Sequence, residues 1–249
     1  MIKKRVIPVL LLRGERMVKG VRFSENFRDV GSPVTTARVY DSQRADELVF
    51  LDILATREKR PVNFGIVREA ADSCFIPLTA GGGVRNVDDV KKLLEAGAEK
   101  VSVNTAAVER PSLITEMAKR FGSQAVLVSI DVKQGRVWVE SGTRETPLDP
   151  VEWAKKAESF GAGEIMVTSI EREGAMQGYD LELTKAVSEA VSVPVIANGG
   201  AGKMDHFLEA FEKGNASAVA ASSIFHFTDQ NPVKVKTYLK TKGIDVREW

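Results

Sequence analysis

The first chemistry legible along the chain belongs to glycines. Gly81-Gly82-Gly83 follows the apolar run at Ile76 and leads into an amphipathic stretch, and Asn198-Gly199-Gly200 follows the run at Val193 in the same way. Glycine lets backbone N–H groups come close to an anion, and a helix N-terminus adds a favourable dipole. Asn104-Thr105 and Ala221-Ser222 end the next apolar run in each case, and their short polar side chains could complete a phosphate cup. Taken alone, the glycines would also fit tight turns. Their repeated pairing with Asn, Thr and Ser favours phosphate, and two cups imply a phosphorylated small molecule with an anionic group at each end.

The other reactive residue types are sparse. Asp52 ends an apolar run, but its repeat mate is Ser169, so a polar lining role and catalysis both remain open. His206 and His226 have no acid or cysteine at metal-ligand spacing, so no metal is expected. Cys74 is the lone cysteine, which excludes an intrachain disulfide and reads as an inert thiol in a reducing compartment. No glycine-rich nucleotide fingerprint stands in its strand-loop-helix context, so no cofactor is expected.

These residues need a scaffold, and the hydrophobic pattern supplies one. Apolar runs fall at Val6 to Leu12, Leu48 to Ile53, Ile76 to Thr79, Val101 to Val103, Ala125 to Ile130, Ile165 to Ile170, Val193 to Ala197 and Ala218 to Ala221. Runs without polar alternation suit strands buried on both faces. Amphipathic stretches lie between them, such as Val87 to Glu95 and Met204 to Glu212, with Gly97 and Gly214 where a left-handed cap is expected.

An internal repeat strengthens the reading. Ile76 to Thr105 matches Val193 to Ser222 without a gap, at an offset of 117 residues, and the same offset pairs Glu47 with Glu164. Leu10-Leu11-Leu12-Arg13 pairs with Ile130-Asp131-Val132-Lys133. Two half-units of four strand–helix pairs predict a (β/α)8 TIM barrel, one domain over 1–249, with halves of roughly 1–120 and 121–249. In such a barrel the cups lie together on the C-terminal face, where active sites sit.

Charge excludes some classes of partner. Lys plus Arg is 35 against 34 for Asp plus Glu, so no net field points to nucleic acid or an anionic membrane. No apolar run approaches the roughly 20 residues that span a bilayer. The N-terminal run breaks at Arg13 with no small-residue cleavage site after it, which reads as a first buried strand and a cytoplasmic protein.

The blocks DELVFLDI, AGGGVRNV, KVSVNTAAVERPSLI, FGSQAVLVSID, GAGEIMVTSI, GYD, NGGAGKMDHFLEAF and FHF resemble the cyclase subunit of imidazole glycerol phosphate synthase over nearly the whole chain. The resemblance implies a (β/α)8 barrel paired with a glutaminase, whose ammonia passes through the barrel to a ribulosylamine bisphosphate at the mouth. It implies two catalytic aspartates. Asp131 matches the second, and Leu11 stands where the first is expected. Leucine neither gives nor takes a proton, so two-carboxylate chemistry cannot run in its usual form.

The resemblance carries further expectations. Gly82, Gly83, Asn104, Thr105, Gly174, Gly199, Gly200 and Ser222 would hold the phosphates, and Lys19 matches a flexible-loop lysine that reaches one. Arg5, Glu47, Lys100 and Glu164, at the starts of strands one, two, four and six, match a charged ring that gates the ammonia path. A structural salt-bridge cluster is the competing reading. Glu99 matches an acidic position facing the glutaminase. The mouth also departs from the family: Glu173 for an aspartate, Ala175 for a threonine, Asn198 for a serine, a short loop after Asp131, and one extra residue before FHF.

The opening VIPVLLL is similar to second-copy homologues linked to surface-polysaccharide synthesis. That resemblance implies a subunit conducting ammonia to a separate sugar amidating enzyme, which turns an acetamido group of a nucleotide sugar into an acetamidino group. The alternative is a working cyclase of histidine biosynthesis, with Asp131 and another acid such as Asp52 sharing the chemistry.

Overall fold

A computed structural model describes residues 3–247. Eight parallel strands close on themselves: β1 (Arg5–Arg13), β2 (Leu48–Asp52), β3 (Leu78–Gly81), β4 (Lys100–Val103), β5 (Val126–Lys133), β6 (Glu164–Ser169), β7 (Val195–Asn198) and β8 (Ala218–Ala221). Each pairs with the next, β5 with β6, and β8 returns to β1 through Arg5↔Ala218. The (β/α)8 barrel predicted from the apolar runs is therefore the fold.

The eight main helices are α1 (Pro33–Ser42), α2 (Phe64–Ala71), α3 (Val87–Glu95), α4 (Ser112–Phe121), α5 (Pro150–Ser159), α6 (Leu181–Ala190), α7 (Met204–Glu212) and α8 (Pro232–Thr241). Short helices Thr105–Glu109 and Ser223–Phe227 follow β4 and β8. Side-chain caps start several of the main helices; Asn86 accepts from the N–H groups of Asp88 and Asp89, satisfying donors that helix geometry leaves free.

Strand alternation makes two separate cores. On β1, Val6, Leu10 and Leu12 join the large cluster between sheet and helices. Ile7 and Val9 point the other way, and fill the lumen with Val49, Leu127, Met166, Ile196, Ala218 and Ala220. The period of two along each strand thus sorts one apolar run into a wall face and a lumen face.

Two local expectations change. The repeat is gap-free in sequence, but in space one residue enters after α7. Gly97 has φ of 101° and its spatial mate is Asn215, at φ 53°, while Gly214 is not left-handed. From there the offset becomes 118, so Ser222 and not Ala221 is the mate of Asn104; both precede their short helix with similar backbone angles, near −132° and −83° for Asn104 and −128° and −69° for Ser222. The segment after Asp131 is not a loop. Arg136–Val139 folds back on β5 through the two-residue turn Gln134-Gly135, both left-handed, as a tight hairpin requires. The first half repeats this hairpin, with Leu12↔Met17 matching Val132↔Val137.

Candidate active site

The C-terminal ends of the strands surround a cleft of about 1130 Å³, counted out to its open mouth, which is ample for a small phosphorylated ligand. Both halves contribute. Gly82, Gly83, Asn104 and Thr105 line it from the first, and Asp131, Thr168, Asn198 and Ser222 from the second.

The cup glycines hold conformations that other residues rarely adopt. Gly82 and Gly83 have φ of 95° and 70°, Gly199 and Gly200 of 86° and 115°. A Cβ on Gly82 would collide with the Asp52 carbonyl oxygen, and one on Gly200 with that of Gly178. The Gly83 N–H already donates to Thr56 Oγ1 at 3.2 Å, and the Thr105 hydroxyl accepts from the Glu140 N–H at 2.9 Å. Thr105 therefore keeps its O–H and one lone pair to offer a ligand. The Ser222 hydroxyl and Asn104 Oδ1 are buried without a hydrogen-bond partner, each at its end of the mouth. Buried polar atoms left unmatched are rare and costly, and these two sit where a ligand would satisfy them.

Asp131 is the acid of the mouth. It is buried near the end of β5 and accepts from Asn104 Nδ2 at 2.8 Å. Burial pushes its carboxyl up to about 6, against the opposing pull of hydrogen bonds from Thr168, Asn104 and Ser129. A carboxyl titrating there can serve as acid or base near neutral pH. Leu11 occupies the matching position on β1. It is half-buried, lines the cleft and packs on the lumen cluster beside Leu51.

Asp52 is poorly placed to replace the missing acid. Its carboxylate accepts from Arg60 at 2.6 and 3.1 Å and from the N–H groups of Leu54 and Ala55 at 3.3 and 3.1 Å. Both oxygens are thereby committed to holding the loop after β2. Nothing in the sequence marks Arg60, since any of the many arginines could reach back to a strand end.

Lys19 also departs from expectation. It ends the strand Arg16–Lys19 that pairs with β1, and its ammonium is buried against Glu173 rather than free in a loop. Burial pulls Lys19 down to about 7. The chain just after it is clamped to the segment after β6: the Arg22 N–H donates to the Glu173 carbonyl at 2.8 Å, and a Cβ on Gly174 would strike the Gly20 carbonyl. Gly174 therefore serves this close packing. His226 lies nearby, lowered to about 4 by burial and by Lys19, with its Nδ1 3.4 Å from the Tyr40 hydroxyl.

At the opposite end of the lumen the four charges close a complete ring. Arg5 pairs with Glu47 and Glu164, and Lys100 reaches the same two carboxylates at 2.8 and 2.7 Å. Burial opposes charge on Arg5 and Glu47, but the opposite charges outweigh it, so Arg5 is raised and Glu47 lowered. Glu99 is exposed beside this ring. Among the described residues no cluster of His, Cys, Asp or Glu is placed to hold a metal ion, and no helix is long and apolar enough to cross a membrane. His206 accepts from the Gly202 N–H at 3.1 Å, and Cys74 is buried with its thiol pushed up by burial.

Fold and mouth together define a barrel of two repeated halves, with a left-handed glycine pair after a strand in each and the buried carboxyl of Asp131 at the mouth. The family model described as histidine biosynthesis protein matches residues 5–231. Over 252 aligned residues the chain is 50% identical to the imidazole glycerol phosphate synthase subunit HisF of Hydrogenobaculum sp. (strain Y04AAS1), covering 99% of this chain and 100% of that relative. The chain belongs to the histidine biosynthesis protein family. These matches support the family expected from the sequence blocks, and they do not support the narrower surface-polysaccharide subgroup.

Proposed function

We propose that the chain is the cyclase-type subunit of a glutamine-dependent synthase akin to imidazole glycerol phosphate synthase. It takes ammonia from a glutaminase subunit at the Arg5–Glu47–Lys100–Glu164 ring and holds a bisphosphorylated acceptor between the two cups. The observation that carries this is the position of Asp131. It is a buried carboxyl at about 6, between the cups, at the end of a lumen whose other end bears the ring. The name and 50% identity of the relative support the histidine-pathway cyclase as the first reading.

Within this reading the chain's own groups divide the work. Glycine N–H groups and the Ser222 hydroxyl take the phosphates, with the O–H of Thr105. Asp131 as carboxylate accepts a proton from the acceptor as the ring forms. Asn104 holds the carboxylate in place. The charge ring, where Glu99 would meet the partner, admits ammonia as the neutral molecule, which an apolar lumen passes more readily than ammonium.

Ammonia delivery to a sugar amidating enzyme is the second reading, and one observation favours it: Leu11 cannot share proton transfer with Asp131. The test gives the purified chain the ribulosylamine bisphosphate and an ammonium salt. Turnover well above background supports the cyclase. Background turnover, together with stimulation of glutamine hydrolysis in the natural partner, supports the second reading.

A further inference from the structure

The strand registers of the two halves correspond, yet three pairs of matched positions at the mouth are opposite in polarity. Leu11 and Leu51 are partners across β1 and β2, and their mates Asp131 and Thr168 are partners across β5 and β6. One step deeper, Val9 stands where the second half has Ser129. All six line the same cleft. At these three pairs of positions the first half is apolar and the second polar.

The flanking residues carry the imbalance. Asn104, beside β5, finds a partner in Asp131 at 2.8 Å. Its mate Ser222 follows β8, which pairs with β1, lines the cleft with Val9 and Leu11, and has its hydroxyl buried with no partner. An aliphatic wall next to a phosphate cup cannot steady charge or move a proton. It gains by removing carbon from water.

We infer that the mouth binds its ligand in one direction only, with an uncharged, carbon-rich stretch over Val9, Leu11 and Leu51 and the reacting, hydrogen-bonding stretch over Ser129, Asp131 and Thr168. Leu11 is the residue that sets this preference. The inference deepens the proposed function and rests on its bisphosphorylated ligand.

Binding of two probes to the full chain, measured by titration calorimetry, tests it. Pentane-1,5-diol bisphosphate and ribulose 1,5-bisphosphate share their end groups and differ in the middle. Each methylene taken from water contributes about a fourfold gain in affinity, so the pentanediol compound should bind at least about tenfold more tightly. Leu11→Asp should abolish or reverse that order; Leu11→Asn serves if the aspartate variant does not fold. Equal or tighter binding of ribulose bisphosphate to the unaltered chain overturns the inference, and so does a ratio that the Leu11 variants leave unchanged. If neither bisphosphate binds, the bisphosphate reading of the function falls, and pentyl phosphate against inorganic phosphate decides the inference. A preference for pentyl phosphate that Leu11→Asp removes upholds it. Lack of preference overturns it.

Discussion

Asn104 donates its amide N–H to Asp131 at 2.8 Å, across the gap between β4 and β5. The bond favours the charged carboxylate and so restrains the upward push of burial. Asn104→Ala removes it, and hydrogen bonds to charged groups are strong enough to move a titration by roughly one pH unit. The Asp131 carboxyl should then titrate above 6, seen by NMR of the carboxyl carbon. An unmoved titration would show that the bond does not restrain it.

Two groups should make opposing contributions to the pH dependence of stability. Asp131 is raised from 3.8 to about 6, so the folded chain binds this proton more tightly, and stability falls as pH rises through that window. His226 is lowered from 6.5 to about 4, so the unfolded chain binds more protons, and stability rises over pH 4 to 6.5. The two slopes largely cancel. Asp131→Asn should expose the rising slope and raise stability at pH 7 by about 1–3 kcal/mol; His226→Gln should expose the falling one. Urea midpoints from pH 4 to 7 read both.

The ring depends on balance. Arg5→Ala leaves Glu47 and Glu164 sharing only Lys100, and breaking a buried pair costs about 3–5 kcal/mol, less here because the ring is partly exposed. The denaturation midpoint should fall accordingly. If the ring gates ammonia, glutamine-driven turnover with the partner should change while turnover from ammonium salt does not.

Lys19 and Glu173 should be coupled. Lys19→Met leaves a buried carboxylate unpaired and should cost about 3 kcal/mol, and adding Glu173→Gln should recover much of that. Additive losses in the double-mutant cycle would exclude a direct interaction.

The glycine cups make a steric prediction. Gly82→Ala and Gly200→Ala each set a Cβ against a backbone carbonyl at a left-handed position. Each should weaken inorganic phosphate binding tenfold or more at its own cup and leave the other cup intact, as two-site calorimetry would show. Gly14→Ala, left-handed but with open space around its Cβ, controls for backbone strain alone.

The sequence shows the barrel, because burial on both faces leaves long apolar runs and duplication leaves a fixed offset. It also set Leu11 against Asp131 and brought four charges to strand starts, since strand position follows from counting along each run. What those groups touch follows from the folded chain alone. Lys19 meets Glu173 from 154 residues away, Asp52 is taken by Arg60, and one residue entering at Asn215 makes Ser222 the mate of Asn104. Side-chain partners depend on where loops return in space, and a single inserted residue turns a side chain from wall to lumen. Periodicity along the chain encodes which face is buried, not which neighbour it finds there.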